Sequence, residues 1–447
     1  MKTMIASVKK SMKAARGPRV REGLSVVRRG LPAILAGIGL LLGGCASTGA
    51  GGDGLGYYWQ SLRGQIHLLQ ASRPIDDWLQ DDNLAPALRE RLLAAQRMRS
   101  FAVQRLGLPD NASYRRYADL QRPFAVWNVV AAPPDSLELH RWCFPVAGCV
   151  GYRGYFSEAD AVAQARLLAD QGLESGSYGV PAYSTLGYLN WLGGDPLLNT
   201  FVGWGEGEFA GLLFHELAHQ VVYVAGDTAF NESFATTVER LGATLWLATE
   251  AGPAARARWE SSQLRRTQWR ALTGRTRQAL QQLYQDPQRG PAMQQAKAQI
   301  YQQLRSDYAA LRAQWRSADA ALLTTDAQRQ FYERHQARLD QWVADANNAS
   351  FGALAAYDDW VPAFTALWHQ AQAQAKTQAP AQAQPGNEAI QGWQRFYAEV
   401  RQLAALPTAQ RNARLCRHMP ADALLPSACD PAQAGASESA DGSRPGN

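Results

Sequence analysis

Two histidines and a glutamate within one short segment of this 447-residue chain have the types and spacing that metal chemistry requires. His215 and His219 form the ends of an H-E-x-x-H string. Residues four apart lie on one face of a helix, so both imidazoles can reach one metal ion. Glu216, next to the first histidine, is placed to act on a water molecule at the open position of that metal. The pattern predicts a catalytic zinc site with Glu216 as the general base.

The residues after this motif offer a third ligand. Gly226-Asp227-Thr228 combines a helix break with a cap, so a second helix is expected to fold back beside the first. Its apolar stripe is expected to pack on the motif helix and to carry Glu232 toward the histidines; the stripe consists of Phe234, Val238, Leu241 and Leu245. Two histidines, one glutamate and an open fourth position indicate a catalytic centre with one zinc ion per chain. The Glu232 carboxylate is therefore expected within about 5 Å of both ligand nitrogens.

The two motifs together resemble those of a known enzyme group. H-E-x-x-H followed by Asn231-Glu232-Ser233-Phe234-Ala235 resembles the gluzincin metallopeptidases, whose third ligand is the glutamate of an N-E-x-x-A helix. From 45 to 405 the chain resembles the predicted bacterial aminopeptidase lipoproteins, including A-Y-S-T-L-G at 182–187 and D-P-L-L-N-T at 195–200. The resemblance implies a zinc-dependent aminopeptidase that acts on a peptide or protein substrate.

The resemblance leaves other functions open. No G-A-M-E-N-type string, which binds the substrate amine in the well-studied zinc aminopeptidases, occurs in the sequence. Exopeptidase specificity is thus implied by the family and not by these residues. The alternatives are an envelope endopeptidase, a peptidase-like chaperone and a non-catalytic zinc lipoprotein.

Further residues are candidates for supporting roles. Thr236 or Glu239 is expected to hydrogen-bond the far nitrogen of a ligand histidine. Glu239 and Asp227 are also the carboxylates that could replace Glu232 as ligand. Gluzincins often stabilise the oxyanion with a downstream tyrosine or histidine, for which Tyr357 is the candidate here; an aromatic core residue is the competing interpretation. Residues 183–188 are a candidate edge strand for pairing with an extended peptide.

The elements that must position these residues are mostly helical. Helical patterns cover 57–106, 158–170, 206–224, 229–249, much of 255–345 and 388–405, whereas three short strands are expected within 123–156. The sequence predicts a helix-rich α+β fold in which a small mixed sheet packs on the H-E-x-x-H helix. We expect this fold to contain a zincin-like core and a large helical region.

The domain organisation follows from composition. A hydrophobic content of 46% and 14 tryptophans suit a sizeable core, and residues 56–430 are expected to form a single zinc-peptidase domain. The low-complexity segment 371–387 is expected to be a solvated loop within it. The tail 431–447 is expected to be disordered.

The N-terminus has the composition of a targeting segment. A basic region is followed by a short apolar run and then by Leu42-Gly43-Gly44-Cys45, which resembles a bacterial lipoprotein signal. This resemblance implies a signal peptide at 1–44, a lipid on Cys45 and a flexible tether over 45–55. The chain would then be anchored in the bacterial cell envelope, at the periplasmic face of the outer membrane since Ala46 rather than aspartate follows Cys45. A plain signal peptide or an N-terminal anchor helix is the alternative.

The net charge argues against a nucleic-acid partner. The formal charge is +6, but the first 30 residues contain nine basic residues and one acidic residue. That segment contributes +8, so the remainder is near −2.

Four cysteines remain after Cys45, an even number that favours disulfides in an exported protein. Cys143 and Cys149 are expected to form a local link, and Cys416 and Cys429 to close a second loop. A cysteine metal site is the competing interpretation, but it lacks any C-x-x-C pair.

Overall fold

The computed structural model describes residues 54–144, 148–182, 193–286, 290–320, 326–378, 387–421, 423 and 425–429. The predictions for the signal peptide, Cys45, the 183–188 strand and the 431–447 tail lie outside these residues. The chain divides into two units, Met1–Gln60 and Ser61–Asn447. The described part of the first unit is the start of one helix. All helices that carry the candidate metal ligands belong to the second unit. No helix within the described ranges is long and apolar enough to span a membrane.

Helices dominate the described structure, which confirms the expected helix-rich α+β class. In chain order they are α1 (Gly54–Ala71), α2 (Ile75–Leu79), α3 (Pro86–Gln104), α4 (Glu158–Asp170), α5 (Asn199–Val202), α6 (Glu206–Ala218), α7 (Thr228–Thr249), α8 (Pro253–Gln285), α9 (Pro291–Asp319), α10 (Asp326–Asp345), α11 (Asn348–Asp358), α12 (Val361–Gln378), α13 (Asn387–Ala404) and α14 (Thr408–Arg417). The strands are β1 (Arg73–Pro74), β2 (Arg116–Ala118), β3 (Val126–Ala132), β4 (Trp142–Phe144), β5 (Gly148–Val150), β6 (Arg153–Tyr155), β7 (Glu174–Val180) and β8 (Leu197–Leu198).

The strands form three small sheets. In the sheet β1-β2-β8, β2 is antiparallel to β1 and parallel to β8, whereas β6-β3-β7 is antiparallel throughout and β4-β5 is a two-stranded hairpin. The central strand β3 is buried along its whole length because β6 and β7 flank it and α4 and α11 pack against it.

The motif helix α6 packs most extensively on α7, and α3 and α8 also contact it. Small residues allow the two backbones to approach closely. A Cβ added to Gly211 would lie 3.0 Å from Cγ of Glu239 and 3.7 Å from Cβ of Ala243. A Cβ on Gly242 would lie 2.9 Å from the ring of Phe214. This packing brings the polar face of α7 beside the motif.

Phe234, the first residue of the apolar stripe of α7, packs against α12 and α13. The ring of Phe234 contacts Phe364 of α12 at a centroid distance of 5.9 Å, and Phe396 and Tyr397 of α13 at 5.8 and 6.2 Å. Large side chains fill the wider space between α7 and these helices, whereas the narrow interface with α6 accepts glycine and alanine.

The described strands form three small sheets instead of the single sheet that was expected, and β1-β2-β8 is the mixed one. The mixed sheet shares a hydrophobic core with the motif helix. The β3-centred sheet packs instead against α4 and α11, and α11 in turn packs on α7. The sheet therefore reaches the site through individual side chains and not as a layer beneath α6.

Three further boundaries differ from the predictions. The helical region 57–106 is interrupted at Pro74, which ends β1 and precedes α2, and at Pro86, which begins α3. The region 123–156 contains four strands rather than three. The expected loop 371–387 is helical as far as Gln378, since alanine, glutamine and lysine favour helix and Ala371 and Ala375 are buried.

Both predicted cysteine pairs lie at disulfide distance and are confirmed. Cys143 and Cys149 occupy opposite positions in the β4-β5 hairpin. Cys416 in α14 is joined to Cys429, with a Cα–Cα distance of 5.6 Å.

Candidate metal centre

His215, His219 and Glu232, called here the ligand triad, meet at one point between α6 and α7. Nε2 of His215 lies 3.2 Å from Nε2 of His219 and 3.2 Å from Oε2 of Glu232, and the distance between His219 Nε2 and Glu232 Oε2 is 3.7 Å. The three side chains are 9%, 7% and 13% exposed. Together they form a group of ligand atoms that could hold one metal ion.

The ligand triad fits a zinc ion. Tetrahedral ligands about 2.0–2.2 Å from one ion are separated by about 3.3–3.6 Å, and the three observed separations lie close to that range. Two imidazole nitrogens and one carboxylate oxygen are a donor set that zinc prefers. Both distances from Glu232 also lie within the 5 Å expected from the sequence.

Helix α6 ends earlier than predicted without separating the histidines. Ala218 is its last residue, and His219 is the C-cap with helical φ and ψ of −58° and −23°. Its backbone N–H still bonds to the carbonyl of His215 at 3.3 Å. The two rings therefore keep the i, i+4 relationship on which the motif depends.

The turn between α6 and α7 places Glu232. The Val224 N–H donates to Oδ1 of Asn231, and Nδ2 of Asn231 donates to the Val224 carbonyl, both at 2.8 Å. Asp227 caps α7 by accepting from the N–H of Phe230 at 3.1 Å. Its other oxygen accepts from Nε and Nη2 of Arg411 at 3.0 and 2.5 Å. Asp227 is thus engaged away from the ligand triad.

Glu239 lies behind His215 rather than among the ligands. One carboxylate oxygen is 3.2 Å from Nδ1 of His215, and the other accepts from Nη1 of Arg266 at 2.8 Å. Thr236, the other candidate for this role, is buried, but among the described residues no hydrogen bond joins its hydroxyl to either histidine.

The carboxylates determine the charge of the metal-free site. Burial alone would lower the pKa of His215, but hydrogen bonds and charges from Glu232 and Glu239 outweigh it and raise that pKa to about 10. Burial would raise the pKa of Glu232, but the two histidines hold it well below its usual range. The pKa of Glu239 is lowered in the same way by Arg266 and His215.

Glu216 lies within electrostatic reach of all three residues of the ligand triad. Burial raises the pKa of its carboxyl, and positive charge on His215 and His219 opposes this rise. The buried Asp195, from the D-P-L-L-N-T segment, raises the pKa of Glu216 further. A carboxylate with a raised pKa is suited to accept a proton and return it.

Two tyrosines near the site were not predicted from the sequence. Burial raises the pKa of Tyr152 and of Tyr178, and in each case the negative charge of Glu232 adds to the rise. Tyr152 lies between β5 and β6 and Tyr178 lies on β7, so no shared spacing could have linked them to the motif. Tyr357 belongs to α11, but its side chain lies outside the described residues.

The disulfide-linked hairpin contacts the turn after the motif helix. Nη2 of Arg141 donates to the carbonyls of Cys149 and Gly226 at 2.7 and 3.1 Å. A Cβ on Gly148 would lie 2.5 Å from the backbone nitrogen of Gly226. The hairpin backbone is therefore packed directly against the segment that connects the two ligand-bearing helices.

No curated protein and no solved structure matches the chain. A family model described as "putative aminopeptidase" matches residues 56–415, which include every element of the ligand triad and most of the chain. The chain therefore belongs to this family of putative aminopeptidases.

Proposed function

We propose that this protein is a zinc-dependent aminopeptidase that hydrolyses peptide bonds with Glu216 as the catalytic base. The observation that carries the proposal is the convergence of three ligand atoms within electrostatic reach of Glu216, a carboxylate that the triad does not need. Membership of the aminopeptidase family supports the peptidase reaction independently. A structural zinc site would have four protein ligands, whereas the described residues converge in a group of three.

When bound, a zinc ion supplies Lewis acidity for the scissile carbonyl and makes water nucleophilic at neutral pH. Glu216 accepts the proton of the attacking water and transfers it to the leaving nitrogen. The C–N bond then breaks to give a free amine and a carboxylate. The raised pKa of Glu216 helps the first transfer, because it makes the carboxylate a stronger base toward the attacking water.

Stabilisation of the oxyanion requires a hydrogen-bond donor. Tyr152 and Tyr178 carry hydroxyl groups that can donate, and the charge of Glu232 acts on both of them. The charge of Glu216 also acts on Tyr152. These two tyrosines join Tyr357, which stays a prediction, as candidates for this role.

A paired peptide library tests the proposal. Each peptide is incubated with the zinc-loaded protein in two forms, with a free and with an acetylated N-terminus, and the products are identified by mass spectrometry. Removal of N-terminal residues from the free form alone is the expected result, whereas internal cleavage of both forms would make the protein an endopeptidase. Glu216→Gln is the matched control, since it should retain the metal and lose turnover. No cleavage by a zinc-loaded wild-type protein would overturn the enzymatic proposal.

A further inference from the structure

A chain of contacts leads from the metal centre to the long helix α8. Nδ1 of His215 lies 3.2 Å from one oxygen of Glu239, and Nη1 of Arg266 donates to the other oxygen at 2.8 Å. Glu239 comes from α7 and Arg266 from α8, so three consecutive helices meet at one carboxylate. The Glu239 side chain is 15% exposed and that of Arg266 is 32% exposed.

Packing leaves the Glu239 carboxylate little freedom on the side of α6. A Cβ on Gly211 would lie 3.0 Å from Cγ of Glu239 and 3.8 Å from its Cδ. The glycine thus provides the space through which Glu239 passes to reach His215. Each carboxylate oxygen of Glu239 has its own partner: Oε2 contacts His215 of α6, and Oε1 accepts from Arg266 of α8.

The two histidines of the ligand triad differ in how they are held. His215 has the Glu239 carboxylate at Nδ1, whereas Nδ1 of His219 is buried and has no hydrogen-bond partner among the described residues. The ring orientation of His215 is therefore the one that a protein side chain controls. An Nδ1–H bond to a carboxylate selects the tautomer whose Nε2 lone pair is free to bind a metal.

We propose that Arg266 is a positioning residue for the metal centre. It holds the Glu239 carboxylate so that Oε2 accepts the Nδ1–H of His215 and Nε2 is directed toward His219 and Glu232. This inference rests on the proposed zinc-dependent function. The planar guanidinium suits the role because its donors are fixed in direction, unlike those of a lysine ammonium.

The experiment compares zinc affinity in two arginine variants of the same helix. Arg266→Met removes the contact to Glu239. Arg265→Met is the matched control, since Arg265 is 27% exposed and pairs with Asp319 at 2.5 Å, away from the ligand triad. Zinc affinity is measured by competition with a chromophoric chelator, and thermal unfolding of the metal-free proteins is recorded in parallel.

Arg266→Met is expected to weaken zinc binding by about 10-fold, the lower end of the range for groups that orient metal ligands. Arg265→Met should leave zinc affinity unchanged even where it lowers the melting temperature. In a Glu239→Gln background, Arg266→Met should cause no further loss, because the contact through which it acts is already weakened. Arg266→Lys keeps the charge but loses the planar guanidinium, so its zinc affinity should fall between those of wild type and Arg266→Met.

Equal zinc affinity for Arg266→Met and wild type would overturn the inference and leave the proposed function intact. Equal losses in Arg266→Met and Arg265→Met would also overturn it, since the effect would then reflect stability of α8. A wild-type protein that binds no zinc would instead overturn the proposed function. If Arg266→Met does not fold, Arg266→Lys decides: wild-type zinc affinity in that variant counts against the role of the guanidinium.

Discussion

Asn231 and Val224 are joined by two 2.8 Å hydrogen bonds, one in each direction, between a side-chain amide and a backbone peptide group. This pair closes the turn between the motif helix and α7, and Glu232 is the next residue along the chain. The asparagine that precedes the ligand glutamate therefore has a physical role: it fixes where α7 starts relative to α6.

Replacing Asn231 with alanine should reduce both stability and zinc affinity. Asn231 is buried, and the change removes the partners of the N–H and the carbonyl of the half-buried Val224, at about 0.5–1.5 kcal/mol each. Zinc affinity should fall by about 10-fold because Glu232 is less well oriented. Urea unfolding and chelator competition measure the two effects.

Asn199 offers a matched control for this variant. Its amide also bridges backbone groups, accepting from the N–H of Leu120 at 2.9 Å and donating to the carbonyl of Arg122 at 3.2 Å. Asn199→Ala should lower stability without changing zinc affinity. Equal zinc affinities in both variants would show that the Asn231 contact does not position Glu232.

The ligand assignment predicts metal content. Purified protein should bind about one zinc per chain with nitrogen and oxygen donors and no sulfur. His219→Ala and Glu232→Ala should lose the metal, whereas Glu216→Gln should retain it. Elemental analysis and X-ray absorption give the stoichiometry and donor atoms; a sulfur-containing spectrum would rule out this centre.

Zinc binding should release a proton. In the metal-free protein the pKa of His215 is raised to about 10, so the ring is protonated at neutral pH and a metal must displace that proton. Zinc affinity should therefore rise with pH between 6 and 8, by about tenfold per unit for one proton. Calorimetry in buffers of different ionisation enthalpy counts the protons. Affinity that is independent of pH would show that His215 is already neutral.

The pair formed by Arg411 and Asp227 should be important for stability. Arg411 is 2% exposed, and removing it leaves the capping carboxylate of Asp227 without its buried partner, which costs about 3–5 kcal/mol. The exposed pair of Arg329 and Asp326 is the control, and Arg329→Ala should cost about 1 kcal/mol or less. Similar unfolding free energies for Arg411→Ala and Arg329→Ala would contradict this difference.

The proposed lipid anchor predicts where the protein is found. Wild-type protein should fractionate with membranes through Cys45, and Cys45→Ser should release it or leave its signal peptide uncleaved. Mass spectrometry of the N-terminal peptide checks for the lipid. A single unlipidated, soluble species in wild-type cells would contradict the prediction.

Local rules account for the parts of the site that could be predicted from the sequence. The four-residue spacing of His215 and His219 brings their rings together on any helix. Gly226-Asp227 indicates a turn whatever the tertiary structure around it. The even cysteine count and the close spacing of Cys143 and Cys149 likewise indicated pairs that the structure confirms. Each of these inferences depends on residues that are near one another in sequence.

Only the tertiary structure decided which surfaces meet. The sequence predicted that Phe234 would face the motif helix, because hydrophobic periodicity identifies an apolar face without identifying its partner. Gly211 and Gly242 instead permit the close approach of α6 and α7, which directs Phe234 toward α12 and α13. Arg266 reaches the site for the same reason: its contact with Glu239 spans 27 positions, and no local pattern encodes a distance that helix packing determines.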